Sequence, residues 1–326
     1  MTNLVIGGTG FLGRHIVAQL VRRGEAVRVF CRRVASFPPG VEISIGDLSD
    51  KNSLLSACRG VDTVFHTAAL PEISVQWEPF YRTNIVGTRN VINACVQSGV
   101  RKLIYTSSPS VIFDDLPQEG LDESVPYPTR WLAHYPHSKA IAEQEVLSRK
   151  NTILTCALRP HLIWGPGDRH LIPRLLDRAR RGKLVRVGDG TNLVDMTYVE
   201  NAATAHIQAA DALTDLSSPV NGNAYFLSQG KPVNCWNWID EILRRHGLPP
   251  VRRSISLKTA WRIGAAMETW YLLFRLPGEP TMTRFLANQL AQSHYFDISR
   301  ARRDFGYTAI VSTEMGMDRL TKSAVK

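Results

Sequence analysis

The stretch Leu4-Val-Ile-Gly-Gly-Thr-Gly-Phe-Leu-Gly13 decides the fold of this chain, because it predicts a first β-strand, a glycine turn and the start of a helix. Gly7 permits a tight turn, Gly10 lets the backbone approach a diphosphate, and Gly13 lets the helix pack closely on the strand. The diphosphate would lie at the positive N-terminal end of the helix predicted over residues 14–23. This arrangement predicts a dinucleotide site rather than an ordinary turn between strand and helix.

The composition indicates an ordinary soluble globular protein. The chain has 326 residues, of which 44% are hydrophobic and 21% charged, enough for a large core and a second, smaller subdomain. The first strand begins by residue 4, which leaves no room for a secretory signal, and no apolar run reaches membrane-spanning length. The cytoplasm is therefore the expected location.

Charge and cysteine usage narrow the expected partners. The net charge is +10, but the basic residues are scattered as doublets without interleaved aromatic residues, so we expect no nucleic-acid partner. The five cysteines form no Cys-x-x-Cys pair and are expected to be reduced packing residues: Cys31, Cys58, Cys95, Cys156 and Cys235. The nine histidines never fall at a convincing ligand spacing, so no metal site is predicted.

Apolar strand patterns alternate with helical ones along the first half of the chain. This alternation predicts an α/β protein with a Rossmann-type, doubly wound parallel sheet. The predicted strands after the first cover 26–31, 41–45, 62–66, 102–107 and 152–159, and the predicted helices cover 50–59, 78–97 and a segment from about 135.

The rest of the chain is expected to form a smaller, discontinuous C-terminal substrate subdomain. A helix at 172–181 leaves the sheet, residues 192–201 return to it, and residues from about 232 leave again. The predicted dinucleotide-binding domain is thus 1–165 plus about 192–231, and the substrate subdomain is about 166–191 plus 232–326.

The end of the second strand indicates which dinucleotide binds. An acidic residue there would bind the free ribose hydroxyls of NAD(H), whereas a 2′-phosphate needs cations. The strand instead ends in Arg32 and Arg33, which favours NADP(H) over NAD(H), unless these are only a solvated strand end. Asp47 is a partner for the adenine amino group or, equally, an N-terminal helix cap.

The segment Tyr135-Pro-His-Ser-Lys139 is the second chemical feature. Residues four apart share one face of a helix, so the Lys139 ammonium would lie near the Tyr135 phenol and favour its phenolate. A tyrosine needs such a partner to exchange protons near neutral pH.

Several segments in the same order resemble the extended short-chain dehydrogenases/reductases. They are Gly-Gly-Thr-Gly-Phe-Leu-Gly (7–13), Gly-Asp-Leu (46–48), His-Thr-Ala-Ala (66–69), Asn-Ile-Val-Gly-Thr (84–88), Tyr-Thr-Ser-Ser-x-x-Val (105–111), Tyr-x-x-x-Lys (135–139) and Leu-Arg-Pro (158–160). Residues 158–168, 187–192, 275–280 and 305–307 resemble the 3β-hydroxysteroid dehydrogenase branch, and within it the 2-alkyl-3-oxoalkanoate reductases most closely. Sterol-4-carboxylate 3-dehydrogenases are near neighbours.

The resemblance implies a role for each matching residue. Tyr135 would donate the proton to the substrate carbonyl, Lys139 would lower its pKa and hold the nicotinamide ribose, and Ser108 would hydrogen-bond the reacting oxygen. Asn84 matches a buried asparagine that orders a helix and a proton-relaying water, or is a plain helix residue. The implied cofactor-binding residues are Gly7, Gly10, Phe11, Leu12, Gly13, Arg32, Arg33, Asp47, Leu48, Ala68, Tyr135, Lys139 and Pro160.

The expected substrate is a hydrophobic small molecule that carries a carboxylate. Trp77, Trp131 and Trp164 are predicted to flank an apolar pocket, with Arg130, His161 and Arg169 as candidate cations. The predicted reaction is reduction of the ketone of a 2-alkyl-3-oxoalkanoate to the 3-hydroxy acid, and oxidation of a 3β-hydroxysteroid is the alternative. An epimerase or dehydratase of nucleotide sugars is less favoured, because Pro109 and Ser110 follow Ser108 where dehydratases have an acidic pair; a dinucleotide sensor would not need the catalytic set.

Residues 259–276 form an unusual helix that is apolar on most sides. The sequence leaves open whether it is core, a lid over the substrate or a peripheral membrane contact. A homodimer is a further expectation.

Overall fold

The computed structural model describes residues 1–71, 74–276 and 278–324. Its strands are β1 (Thr2–Ile6), β2 (Ala26–Cys31), β3 (Glu42–Ile45), β4 (Thr63–His66), β5 (Lys102–Thr106), β6 (Gln118–Leu121), β7 (Leu154–Pro160), β8 (Ile163–Trp164), β9 (Arg186–Val187), β10 (Leu193–Val194), β11 (Thr197–Tyr198), β12 (Asn223–Leu227), β13 (Val233–Asn234), β14 (Ser254–Ile255) and β15 (His294–Phe296). The strands predicted in the first half are confirmed to within two residues at each end.

The helices alternate with these strands. They are α1 (Phe11–Arg22), α2 (Lys51–Cys58), α3 (Trp77–Phe80), α4 (Gly87–Gln97), α5 (His134–Leu147), α6 (Leu171–Arg180), α7 (Val199–Ala212), α8 (Cys235–Arg245), α9 (Leu257–Leu273), α10 (Arg284–Ala291), α11 (Ser299–Phe305) and α12 (Thr313–Ala324). A π-helical segment, Tyr81–Val86, joins α3 to α4, and a 3₁₀ turn, Pro109–Ile112, follows β5. The helix predicted at 78–97 therefore exists, but part of its N-terminal half is wider than an α-helix.

A seven-stranded parallel sheet in the order β12-β7-β5-β4-β1-β2-β3 forms the centre of the molecule. The strands β2 and β3 are added on one side of β1, and β4 and the later strands on the other, so the order of strands in the sheet reverses beside β1. Ligands of doubly wound sheets bind at the carboxyl edge of such a switch point. The predicted Rossmann-type fold is confirmed.

The glycine turn fits tightly into this switch point. Gly7 has a φ of +88°, which favours glycine, and a Cβ there would lie 2.7 Å from the backbone N of Ala68. A Cβ on Gly13 would collide with the backbone of Gly7 and Gly8. The turn after β1, the segment after β4 and the start of α1 are thus packed too closely for larger residues.

The rest of the chain includes a four-stranded sheet in the order β13-β10-β15-β6. We call this sheet, together with α6, α8, α9, α10 and α12, whose buried side chains share an apolar core, the second region. The prediction that residues 192–201 return to the central sheet is wrong: β10 pairs with β13 and β15, and β11 pairs with β8. The last strand of the central sheet is β12 instead. Strands of two residues have too few positions for a periodic pattern, so this pairing could not be predicted from the sequence. The predicted domain boundaries at 165, 192 and 231 stay a prediction.

The apolar helix α9 contributes little to the core. Its buried residues are Ala260, Gly264 and Glu268, which lie on one side of the helix. A Cβ on Gly264 would lie 2.5 Å from the backbone of Thr283, so α9 crosses the start of α10 at close range. Most of the large apolar side chains on its other sides are exposed, and core packing therefore does not explain them.

All five cysteines are buried free thiols. None of the helices in the described part of the chain is long and apolar enough to cross a membrane.

Candidate active site

The N-terminus of α1 offers a site for an anion. Its N-cap is Gly10, which supplies no capping side chain, so the first N–H groups of the helix have no side-chain partner. Arg14 joins the glycine turn to the segment after β2, because its guanidinium donates to the carbonyl oxygens of Thr9 at 3.2 Å and Ser36 at 3.5 Å. The tight glycine turn and these free N–H groups fit a dinucleotide diphosphate. Sequence reasoning missed the role of Arg14.

The end of β2 is exposed and basic. Arg32 and Arg33 are solvent-accessible, and neither guanidinium forms an ion pair within the described residues. Asp47 lies near Arg32, and hydrogen bonds from Ser49 hold the pKa of its carboxyl below the ordinary value. The alternative that Asp47 caps a helix is wrong: the N-cap of α2 is Asp50, whose side chain accepts from the N–H groups at 52 and 53. The Asp47 carboxyl is exposed and accepts from Ser49 through Oδ1.

Tyr135 lies in the first turn of α5, beside the end of β5. Burial raises the pKa of its phenol, and a hydrogen bond from Ser108 works in the opposite direction. The Ser108 hydroxyl also lies 2.8 Å from that of Ser110, at the start of the 3₁₀ turn. The structure thus brings Ser108 and Tyr135 together, with the tyrosine protonated near neutral pH.

Lys139 lies one turn further along α5 and is almost fully buried. Its Nζ donates to the carbonyl oxygen of Thr106 at 2.6 Å and lies 4.1 Å from the centre of the Tyr105 ring. Burial lowers the pKa of this amine to about 7, although the charge of Glu143 acts to raise it. Lys139 is therefore held within the active-site wall by backbone and ring contacts, and its ammonium can lose a proton near neutral pH.

Asn84 lies in the π-helical segment and fixes the start of α5. Its Nδ2 donates to Ser138 Oγ at 2.9 Å and to the carbonyl oxygen of Leu70 at 3.2 Å, and its Oδ1 accepts from the Leu70 N–H at 2.8 Å. Ser138 in turn donates to the carbonyl oxygen of Tyr135 at 2.8 Å. Asn84 thus joins the segment after β4 to the turn that carries Tyr135.

A buried ion pair below the site was not found from the sequence. Glu143, one turn after Lys139, accepts hydrogen bonds from Arg159 Nε at 3.0 Å and from the Tyr127 hydroxyl at 2.6 Å. The charge and hydrogen bonds of Arg159 lower the pKa of this carboxyl against the effect of burial. The spacing of four residues places Glu143 on the same face of α5 as Lys139, and this could have suggested an acid near the lysine.

An aromatic cluster surrounds two histidines in the first turn of α5, the turn that also carries Tyr135. The ring of His137 is stacked on Trp131 with a centroid distance of 5.3 Å and lies 5.0 Å from the ring of Trp77. Trp77 also contacts His134 at 5.5 Å. The placement of Trp164 at the pocket was wrong: it is fully buried and packs edge-on against Tyr198 and Trp238 in the core of the second region.

The other cofactor and substrate candidates differ in accessibility. Phe11, Leu48 and Ala68 are partly exposed, whereas Leu12 and Pro160 are buried.

Arg130 and Arg169 are exposed, and neither forms an ion pair in the described ranges. His161 is buried with both ring nitrogens bonded inside the protein, to the carbonyl oxygen of Asp195 and to His294. Within residues 1–71, 74–276 and 278–324, no group of three or more His, Cys, Asp or Glu could hold a metal ion.

Comparison with known proteins gives the family. The model of the 3-beta hydroxysteroid dehydrogenase/isomerase family matches residues 4–259. The chain is 46% identical to a 2-alkyl-3-oxoalkanoate reductase of Stenotrophomonas maltophilia over 99% of both chains. It is 44% identical to one of Shewanella oneidensis, over 98% of this chain and 85% of the relative. A sterol-4-alpha-carboxylate 3-dehydrogenase (decarboxylating) of Mus musculus is 36% identical over 98% of this chain and 90% of the relative.

Solved structures agree on the architecture. MoeE5 in complex with UDP-glucuronic acid and NAD matches with a TM-score of 0.76 and 25% identity, over 100% of this chain and 99% of that one. A dTDP-glucose 4,6-dehydratase of Streptomyces venezuelae, DesIV, has the same fold, with a TM-score of 0.78, 21% identity and coverage of 100% and 97%. The chain therefore belongs to the 3-beta hydroxysteroid dehydrogenase/isomerase family and is an oxidoreductase of the extended short-chain dehydrogenase/reductase class.

Proposed function

We propose that this protein uses NADP(H) to reduce the ketone of a β-keto acid with a large hydrocarbon substituent, a 2-alkyl-3-oxoalkanoate, to the 3-hydroxy acid. The observation that carries this proposal is the identity of 46% and 44%, over nearly the whole chain, to two reductases named for that substrate. The sterol-4-carboxylate dehydrogenase relatives are more distant, at 36%.

The side chains around Tyr135 support a reduction. When bound, the nicotinamide supplies the hydride that reaches C3 of the substrate. Tyr135 is protonated near neutral pH, so it can give its phenolic proton to the carbonyl oxygen, and Ser108 can donate a hydrogen bond to the same oxygen. Lys139, with its pKa lowered to about 7, can then return a proton to the phenolate.

The preference for NADP(H) rests on the end of β2. Two exposed guanidinium groups without internal ion pairs are available for a 2′-phosphate, and Arg14 fixes the neighbouring backbone. An NAD(H) site would need an acid at this position.

The substrate is proposed to bind against the ring cluster formed by Trp77, Trp131 and His137. This cluster is aromatic, and it includes His137, which lies two residues from Tyr135 in the first turn of α5. Arg130 or Arg169 would pair with the carboxylate, because both are exposed and unpaired in the described residues. His161 is less suitable, since its ring nitrogens are already bonded.

Steady-state kinetics in both directions test the proposal. A 2-alkyl-3-oxoalkanoate with NADPH is compared with a 3β-hydroxysteroid-4-carboxylate with NADP⁺ and NAD⁺. We expect the higher kcat/KM for the keto acid with NADPH. A higher value for the sterol in the oxidative direction would replace the proposal with the alternative activity.

We further propose that the end of α9 rests on an anionic membrane surface that supplies hydrophobic substrate. Trp270 is 58% exposed and Leu273 72% exposed, which is unusual for such large apolar side chains. Arg262 and Arg275 are exposed along the same helix and its end, so cations accompany the apolar surface.

Vesicle sedimentation tests this contact. The enzyme should co-sediment with phosphatidylglycerol vesicles more than with phosphatidylcholine vesicles, and Leu273→Asp should reduce binding. Leu216→Asp, at an equally exposed leucine elsewhere, is the control. Equal behaviour of both variants would contradict the proposal. We also propose that the protein forms a homodimer, and light scattering tests this: the mass of a monomer would contradict it.

A further inference from the structure

Two buried histidines form a continuous hydrogen-bonded chain between the two regions of the molecule. His161 follows β7 of the central sheet, and its Nδ1 lies 2.7 Å from the carbonyl oxygen of Asp195. His294 begins β15 of the small sheet, and its Nε2 lies 2.7 Å from the carbonyl oxygen of Gln289. The remaining two nitrogens, His161 Nε2 and His294 Nδ1, lie 3.0 Å apart.

The two carbonyl groups fix where the protons must be. A carbonyl oxygen only accepts, so His161 Nδ1 and His294 Nε2 must each carry a hydrogen. If both rings were neutral, the two facing nitrogens would then both be bare, with lone pairs directed at each other. A hydrogen bond between them requires a third proton, and the pair would carry one positive charge.

Asp195, whose carbonyl oxygen accepts from His161, also has a buried carboxyl. The Asp195 carboxyl, from the segment between β10 and β11, is buried and accepts the Phe296 N–H at 2.8 Å and a hydrogen bond from Ser228. A carboxyl that accepts two hydrogen bonds favours its ionised form, although burial raises its pKa to about 6. Tyr307 is the other titratable group near this carboxyl.

We propose that His161 and His294 share one trapped proton and form a buried imidazole–imidazolium pair that joins the end of β7 to the small sheet. Burial alone favours neutral rings and lowers the pKa of His161 to about 3 and of His294 to about 4. The neutral pair, however, loses the central hydrogen bond. A 180° flip of either imidazole ring would place a ring carbon, in place of a nitrogen, against the carbonyl oxygen that the ring now contacts. The flipped ring would then lose that hydrogen bond.

The shared proton gives stability a defined dependence on pH. An unfolded histidine has a pKa of about 6.5, so above about pH 7 the folded pair binds one more proton than the unfolded chain. Stability from a group with a raised folded pKa is full below the unfolded pKa and is lost as pH rises through the folded pKa. A neutral pair would have no such effect above pH 7 and would lose stability only as the pH falls below about 6.5.

Nitrogen NMR of the protein labelled with ¹⁵N-histidine tests the protonation directly. At about pH 7.5 we expect three protonated nitrogens in the pair and a far-downfield proton coupled to both His161 Nε2 and His294 Nδ1. His206 is the internal reference: it is equally buried, but its Nε2 lies 2.8 Å from the Thr106 hydroxyl, which can donate, so one proton satisfies its ring. Two bare nitrogens in the pair would overturn the proposal.

Chemical unfolding at several pH values is the second test. Between about pH 7 and pH 9, the unfolding constant of the wild type should rise relative to that of His294→Gln, by up to about tenfold per pH unit for one proton. His206→Gln should keep the wild-type dependence on pH. The same dependence in the wild type and His294→Gln would refute the shared proton, and the NMR result on the wild type decides the matter if the variant does not fold.

Discussion

The substitution Lys139→Met tests how much the buried lysine lowers the free energy of unfolding. The amine is 1% exposed, and its pKa falls from 10.5 to about 7. At about 1.4 kcal/mol for each pH unit, charging this group costs about 5 kcal/mol more in the folded chain than in the unfolded one. Methionine keeps the volume without the charge, but it leaves the carbonyl oxygen of Thr106 without its donor, which costs about 1–3 kcal/mol.

The net gain in unfolding free energy should therefore be about 2–4 kcal/mol at pH 6.5 and close to zero at pH 9.5. The sign follows from proton binding: between about pH 7 and 10.5 the folded lysine binds fewer protons than the unfolded one, so wild-type stability rises with pH, and methionine removes that rise. Turnover should be lost at every pH if Lys139 has the proposed role.

Urea unfolding at the two pH values measures this difference. Lys102→Met is the matched control, because Lys102 also donates to a backbone carbonyl oxygen, that of Ala210 at 2.8 Å, but is only partly buried. Its gain should be smaller and should depend less on pH. Equal destabilisation by Lys139→Met at both pH values would refute the reasoning that burial makes this amine a stability cost.

Three further predictions concern separate parts of the molecule. Tyr135→Phe should abolish turnover and leave the cofactor dissociation constant nearly unchanged; substantial residual turnover would mean that another group supplies the proton. Replacing Arg32 and Arg33 by alanine should weaken NADP(H) at least about tenfold relative to NAD(H), measured by fluorescence titration, and equal affinities in the native protein would contradict the assignment. Trp164→Ala should lower the free energy of unfolding in urea by about 3–5 kcal/mol, because the ring lies in the core. A change in the substrate KM alone would instead indicate that Trp164 lines the substrate pocket.

The sequence determined the features that depend on neighbours along the chain. The glycine turn after β1, the strand and helix alternation and the shared face of Tyr135 and Lys139 are local, because backbone freedom and helical spacing act within a few residues. Parallel strands then bring their carboxyl ends to one edge, so the turn after β1, Arg32 and Ser108 could be placed together before any contact was known.

Features that join distant segments could be seen only in the folded protein. Nothing near His161 in the chain indicates His294, yet their nitrogens lie 3.0 Å apart, and the two-residue strand β10 shows its partners only in the folded sheet. The same holds for Trp164, whose apolar ring is as compatible with a pocket as with a core. The burial of a residue depends on which distant segments pack against it, and these segments cannot be identified from its neighbours in the sequence.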